Sequence, residues 1–228
     1  MKTKILYEDD SILVVQKPAG IAVESASVTQ MDVVSELKNT LKTDYIGLVH
    51  RLDQPVEGLF VVGKTKDATA KLSGQLQDGR LKKEYQALVF CTRACTEDRK
   101  KVGAAFSLRD YLVKDAKTKM AKITENQTDP GAKEALLSGE VTEKVREDVL
   151  LCRIRLGTGR FHQIRAQMAH AEMPLLGDTK YGTQIPADLA KDLGIRQLCL
   201  CADRIAFRHP VTKKELSFSM TPTWLDRA

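Results

Sequence analysis

A charged turn inside an apolar stretch, residues 47–64, constrains the fold most strongly. Apolar residues stand at both ends, and Pro55 and Gly58 mark a chain reversal between them. This order predicts strand, loop, strand. The loop carries Arg51 and Asp53, and a carboxylate beside an arginine on such a loop is a common way to present a reactive acid. Taken alone, the stretch favours a surface ion pair, because structural ion pairs outnumber catalytic ones.

The rest of the chain mixes strand patterns with a few helical ones. Strands outnumber helices and the helices fall between hairpins, which favours an α+β fold with a mixed, mostly antiparallel sheet flanked by helices. Charged residues dominate 92–147, so only short strands are predicted there, as an arm or edge of the sheet. Helices are predicted over 32–41, 67–77 and 160–171, and strands over 5–7, 12–15, 80–90 and 149–156, with a hairpin over 198–220.

Composition indicates an ordinary globular protein. With 228 residues, 43% of them hydrophobic, we expect a single domain over residues 1–228. No apolar run has membrane-spanning length and no secretory segment is evident, so we expect a cytoplasmic protein without membrane contact. The formal net charge of +6, with basic residues concentrated near the motifs, favours an anionic substrate.

The five cysteines fit a reducing compartment. The spacings of Cys91 with Cys95 and of Cys199 with Cys201 are poor for zinc, and neither pair has a histidine nearby. We therefore predict buried thiols rather than metal ligands.

The predicted helix over 160–171 follows a glycine-rich turn. Its apolar residues, Phe161 among them, are spaced to face the core, while Arg165 lies on an adjacent stripe that can point into a cleft. Arg160, in the first turn of this helix, is a candidate phosphate contact.

Six blocks of sequence occur in the order found in the RluA family of pseudouridine synthases, and together they span nearly the whole chain. The chain therefore resembles that family, with residues 92–147 as the weakest part. The blocks are YEDDSILVVQKPAGIAV at 7–23, HRLD at 50–53, KKEYQALV at 82–89, GRFHQIRAQMAH at 159–170, PLLGDTKYG at 174–182 and ADRIAFRHPVTKKELSFSM at 202–220.

The resemblance implies a central RNA-binding cleft and assigns roles to matching residues. Asp53 corresponds to the catalytic aspartate of the family, Tyr85 to the tyrosine that lies against the target base, and Arg165 to the basic residue that pairs with the aspartate. Arg51 resembles the side chain that replaces the extruded base in the RNA stack.

The chain departs from the family pattern in three places. Pro55-Val56-Glu57-Gly58 replaces threonine-serine-glycine after the motif but keeps the glycine, and Leu200-Cys201-Ala202 replaces leucine-histidine-alanine. The N-terminal RNA-binding domain of many members is expected to be missing. These departures leave the RNA target open, as ribosomal RNA, transfer RNA or both.

Pseudouridine formation breaks the N1–C1′ bond of uridine and joins C5 to C1′, so the implied reaction needs no cofactor or metal. It needs an ionised carboxylate, and an arginine such as Arg165 can hold one through two parallel hydrogen bonds. The target base must leave its stack, which costs roughly a few kcal/mol. Phosphate contacts offset this cost, and Lys82, Lys83 and Arg160 are the candidates.

Two other functions remain open. The chain could be an RNA-binding or RNA-remodelling protein of the same fold without activity, or a hydrolase that uses Asp53 with a second acid. The intact set of Asp53, Tyr85 and Arg165 argues against the first, and no second acid stands in a comparable block. His50 and His162 are predicted to be structural hydrogen-bonding residues, and a monomer is expected.

Overall fold

The computed structural model describes residues 2–25 and 30–225, which divide into two compact units. Unit 1 contains Met1–Glu84 and Cys201–Pro222, and unit 2 contains Tyr85–Leu200 and Thr223–Ala228. The helices are α1 (Val33–Leu41), α2 (Lys66–Gln77), α3 (Gln163–His170) and α4 (Ala187–Asp192). The strands are β1 (Lys4–Glu8), β2 (Ile12–Lys17), β3 (Gly47–Leu48), β4 (Glu57–Gly63), β5 (Lys82–Phe90), β6 (Ala105–Asp115), β7 (Met120–Thr124), β8 (Lys133–Arg146), β9 (Val149–Leu156), β10 (Leu200–Arg208) and β11 (Glu215–Ser219).

The sheet of unit 1 is mixed. Its order is β1-β2-β4-β10, with β3 also paired to β4 and β11 to β10. The β4–β10 pair is parallel and the other pairs are antiparallel. Every residue of β4 is buried, and Leu59 and Val61 pack with Leu72 of α2 and Phe207 of β10 in one hydrophobic cluster.

Helix α1 and helix α2 begin and end as their capping residues dictate. The Asp32 side chain accepts a hydrogen bond from the N–H of Ser35, and Thr65 caps α2 in the same way. Gly79 follows α2 with a φ of 72°, a left-handed conformation that glycine adopts without a steric penalty. The two helices predicted in this half of the chain are therefore confirmed within a residue of their ends.

In unit 2 the strand order is β5-β9-β8-β6-β7, and β9-β8-β6-β7 pair antiparallel. Helix α3 packs against β6 and β7, where small side chains let it approach closely. Ala166 of the helix lies in one cluster with Leu112, Ala121 and Ala135 of the strands. The α+β class with a mixed, mostly antiparallel sheet is confirmed.

Two local predictions are wrong. The region 92–147 contains two long strands, β6 of 11 residues and β8 of 14, because its charged residues alternate with buried ones on a half-exposed sheet. Helix α3 begins at Gln163 rather than at Arg160, because His162 adopts a left-handed conformation with a φ of 51°. As a result Phe161 precedes the helix and is 37% exposed instead of facing the core.

The turn after β10 is fixed by a buried histidine. His209 is 3% exposed, and its Nε2 lies 2.7 Å from Oδ2 of Asp9. Its Nδ1 accepts hydrogen bonds from the N–H groups of Val211 and Thr212, which places the ring proton on Nε2.

We expect His209→Ala to lower the free energy of unfolding by about 1–3 kcal/mol, because it removes a buried ring whose two nitrogens are hydrogen-bonded, one to Asp9 and one to the N–H groups of Val211 and Thr212. Urea unfolding measures this loss. His170→Ala is the control, since His170 pairs with Asp110 but its side chain is 58% exposed, and such pairs contribute about 0–1 kcal/mol. Equal losses in the two variants would contradict a structural role for His209.

Candidate active site

Asp53 lies in the loop between β3 and β4, within unit 1. Its carbonyl accepts a hydrogen bond from the N–H of Val56 at 3.0 Å, which closes the turn predicted from Pro55. The Asp53 residue is half-buried. Arg51 points outward with its side chain 66% exposed, and its ion pair is to Glu24 at 3.9 Å.

A buried ammonium group anchors this loop. Lys17, at the end of β2, has no exposed surface. Its Nζ donates hydrogen bonds to three backbone carbonyls, those of Pro18 at 3.0 Å, Ile21 at 2.7 Å and Gln54 at 3.0 Å. Because Gln54 follows Asp53 directly, the ammonium ties the segment after β2 to the loop that carries the candidate catalytic carboxylate.

The surroundings of Lys17 change its pKa. Burial lowers the pKa of Lys17 from 10.5 to about 8, although the nearby carboxylates of Asp53 and Glu57 raise it. The sequence analysis did not single out this residue, because its three carbonyl partners are brought together by folding. A lysine at the last position of an apolar strand was the available signal.

His50 is buried beside the same loop, and its imidazole packs edge-on against Phe60. Neither ring nitrogen has a hydrogen-bond partner among the described residues, so the predicted hydrogen-bonding role is wrong for this histidine. Burial lowers the pKa of His50 well below its ordinary value, and the charge of Lys83 lowers it further. His50 is therefore a neutral packing residue.

Arg165, in α3 of unit 2, forms a buried ion pair that the sequence did not reveal. Its Nε and Nη2 each donate to one carboxylate oxygen of Asp178, both at 2.7 Å. The two side chains are 4% and 0% exposed. Asp178 also accepts hydrogen bonds from the N–H groups of Lys180 and Tyr181, so the carboxylate is fixed by its own turn.

His162 and Tyr181 complete the surroundings of Arg165. Nη1 of Arg165 lies 3.4 Å from Nε2 of His162, and Nδ1 of His162 lies 3.0 Å from the Tyr181 hydroxyl. The guanidinium also lies over the Tyr181 ring, 5.1 Å from its centroid. Burial and the charge of Arg165 lower the pKa of His162 to about 4, so this ring is neutral near pH 7. The predicted hydrogen-bonding role of His162 is confirmed.

The other predicted site residues lie on β5 and before α3. Tyr85 is buried on β5 in unit 2, while Lys82 is exposed and Lys83 half-buried at the start of that strand. Arg160 is exposed, and its Nε donates to the carbonyl of Glu134 at 2.8 Å. Its placement in the first helical turn is wrong, because the helix begins three residues later.

The structure thus places Asp53 near Lys17 in unit 1, and Arg165 with Asp178 and His162 in unit 2. The pairing of Asp53 with Arg165 stays a prediction.

All five cysteines are buried and free, as predicted. In residues 2–25 and 30–225, no three side chains of His, Cys, Asp or Glu are grouped as a metal site requires. None of the helices described has the length and apolar character needed to cross a membrane.

Comparison with known proteins identifies the class. Residues 11–170 match the family model described as RNA pseudouridylate synthase, and this match covers more than half of the chain. The chain belongs to that family, and the resemblance found in its motifs is confirmed.

Similar proteins give more detail. Ribosomal large subunit pseudouridine synthase D of Vibrio cholerae serotype O1 is 36% identical over 226 residues, covering 94% of this chain and 65% of the relative. Ribosomal large subunit pseudouridine synthase C of Buchnera aphidicola subsp. Baizongia pistaciae is 32% identical over 214 residues, covering 93% and 64%. The chain thus spans just under two thirds of the length of these relatives. The solved structure of human RNA Pseudouridylate Synthase Domain Containing 4 superposes with a TM-score of 0.75 at 20% identity, covering 98% of this chain and 90% of that one, which supports the fold.

The first prediction from the site concerns Lys17. Since its pKa is about 8 in the folded chain and 10.5 is its ordinary value, the unfolded chain binds this proton more tightly. The contribution of Lys17 to the free energy of unfolding therefore rises as pH increases from 8 to 10.5. In Lys17→Met this rise should be absent when urea unfolding is measured across that interval. Lys71→Met, at an exposed lysine, should keep the wild-type pH dependence; if both variants keep it, the charge of Lys17 is not buried.

The second concerns Asp178. We expect Asp178→Asn to lower the free energy of unfolding by about 3–5 kcal/mol, because it leaves the buried charge of Arg165 without its partner. Adding Arg165→Met should recover part of this loss in a double-mutant cycle. The exposed pair of Lys71 and Asp67 is the reference cycle, with an expected coupling of about 0.3–0.5 kcal/mol. Equal coupling energies in the two cycles would mean that burial does not strengthen the interaction between Arg165 and Asp178.

Proposed function

We propose that this chain isomerises uridine to pseudouridine in a structured RNA. The observation that carries the proposal is the position of Asp53, in the HRLD turn of this family, on a loop anchored by the buried Lys17 ammonium. The reaction is an intramolecular transfer in which C5 replaces N1 on C1′, the C5 hydrogen leaves as a proton and N1 gains a proton. Every other atom is retained, so the proposed chemistry calls for no redox partner.

Asp53 is the proposed catalytic carboxylate. A carboxylate covered by a bound base loses hydration, which raises its pKa and favours the unreactive protonated form. A cation nearby opposes that shift, and the charge of Lys17 is already placed to do so. The family resemblance adds Tyr85 as the ring against the target base and Arg165 as the arginine that pairs with the aspartate.

The proposed substrate is ribosomal RNA, because the similar bacterial proteins are named for the large ribosomal subunit. Transfer RNA is the second substrate to try. Arg51, Lys82, Lys83 and Arg160 are the proposed RNA contacts, and each has exposed or half-exposed surface. We further propose that residues 1–228 act as one catalytic domain, as a monomer in the cytoplasm.

Tritium release tests the proposal directly. RNA transcribed with [5-³H]uridine should lose tritium to water with the wild-type protein, because pseudouridine formation expels the C5 hydrogen. Asp53→Asn should reduce release to background, whereas Asp67→Asn, at an exposed carboxylate of α2, should not.

Each outcome has a distinct meaning. Tight binding without release from ribosomal or transfer RNA would favour the alternative, an inactive RNA-binding protein of the same fold. Release that survives in Asp53→Asn would keep the activity and reject Asp53 as its carboxylate.

A further inference from the structure

Phe161 is an aromatic side chain held in an exposed position. It is 37% exposed, although the helical pattern predicted it in the core. Its ring is stacked on the imidazole of His162, with centroids 3.8 Å apart and planes 19° from parallel. One face of the ring is therefore supported by protein, and the residue keeps more than a third of its surface exposed to a partner.

The support beneath this ring is held in place by hydrogen bonds. His162 is buried, and its Nδ1 lies 3.0 Å from the hydroxyl of Tyr181. That hydroxyl accepts a hydrogen bond from the N–H of Ala121 at 2.7 Å, which connects it to β7. An aromatic ring fixed in this way loses little conformational entropy when a ligand stacks on it.

Positive charge surrounds the exposed ring. The ammonium of Lys114, on β6, lies 4.9 Å from the ring centroid, and this exposed lysine has no ion pair among the described residues. Lys114 and Lys180 are both close enough to His162 to lower the pKa of that imidazole. Arg160 adds a third exposed or half-exposed cation, one residue before Phe161.

A part-exposed aromatic ring with an ammonium over it matches the chemistry of an unpaired nucleotide. A base stacks on the ring regardless of its identity, and the phosphate beside it is attracted to the ammonium. The flexible stem of Lys114 allows the ammonium to leave the ring and follow the phosphate.

We propose that Phe161 and Lys114 form a binding site for an unpaired nucleotide of the RNA, with the base on the Phe161 ring and its phosphate at Lys114. The site lies outside the residues assigned to catalysis. The proposal rests on the proposed function only in taking RNA as the partner.

A tryptophan at position 161 reports stacking without any need for activity. The chain has one tryptophan, Trp224, and it is buried. Binding of a single-stranded oligonucleotide of about ten nucleotides, within the usual length range of such sites, should quench the added fluorescence of Phe161→Trp. Val102→Trp, at an exposed apolar residue of the same unit, is the control and should show no quenching.

Two further variants separate stacking from packing. Phe161→Leu keeps an apolar cover over His162 but removes the π-face, so the Kd for RNA should rise about fivefold or more, as loss of one stacked base implies. Phe161→Tyr should restore wild-type binding.

Salt dependence tests the phosphate contact. Lys114→Gln should lower the slope of log Kd against log salt by about 0.7, the value for one phosphate of a single strand. Lys144→Gln, at a β8 lysine paired with Glu147, should leave the slope as it is.

The results can overturn this proposal separately from the proposed function. If wild type releases tritium and binds RNA while Phe161→Trp shows no quenching and Phe161→Leu binds normally, the nucleotide site is wrong and the isomerase stands. If RNA quenches Phe161→Trp but no tritium is released, the site stands on an RNA-binding protein. If wild type binds neither ribosomal RNA nor the oligonucleotide, both are rejected.

Discussion

Each unit buries a full positive charge, and the conformation of the loops around it depends on that charge. Removing a cation from water costs several kcal/mol unless its hydrogen-bonding groups are satisfied. In unit 1 three carbonyls satisfy the ammonium of Lys17, and in unit 2 the carboxylate of Asp178 satisfies Arg165. A loop conformation that withdraws these partners would leave a buried charge unsatisfied, and this cost disfavours it.

The two buried cations have different hydrogen-bond partners, and this difference determines how much of each positive charge is neutralised. Carbonyl oxygens carry only partial charge, so Lys17 keeps most of its positive field, which reaches Asp53 and Glu57. Arg165 is instead paired with a full carboxylate through Nε and Nη2, and this fixes the plane of its guanidinium. Lys17 therefore supplies charge near Asp53, whereas Asp178 supplies orientation for Arg165.

Local patterns predicted most of the fold but little of the surroundings of the candidate site. The bounds of α1 and α2 were predicted within a residue, because the caps that start them, Asp32 and Thr65, act within a few residues along the chain. The partners of Lys17 and Arg165 are chosen by tertiary folding, and no spacing in the sequence specifies them. The exposure of Phe161 was also missed. The left-handed conformation of His162 delays the start of α3 to Gln163, so Phe161 lies outside the helix.

Two of the departures from the family pattern place buried residues in unit 1, namely Val56, Glu57 and Cys201. Gly58 is required by sterics, because its φ is 139° and a Cβ there would lie 2.5 Å from the backbone nitrogen of Ala202. Cys201, where the family has a histidine, is buried opposite Glu57 in the β4–β10 pair. Burial and the charges of Glu57 and Asp203 raise the pKa of this thiol, so it stays protonated and unreactive. HRLD keeps its exposed arginine, and its aspartate lies on the loop that Lys17 anchors through the carbonyl of Gln54.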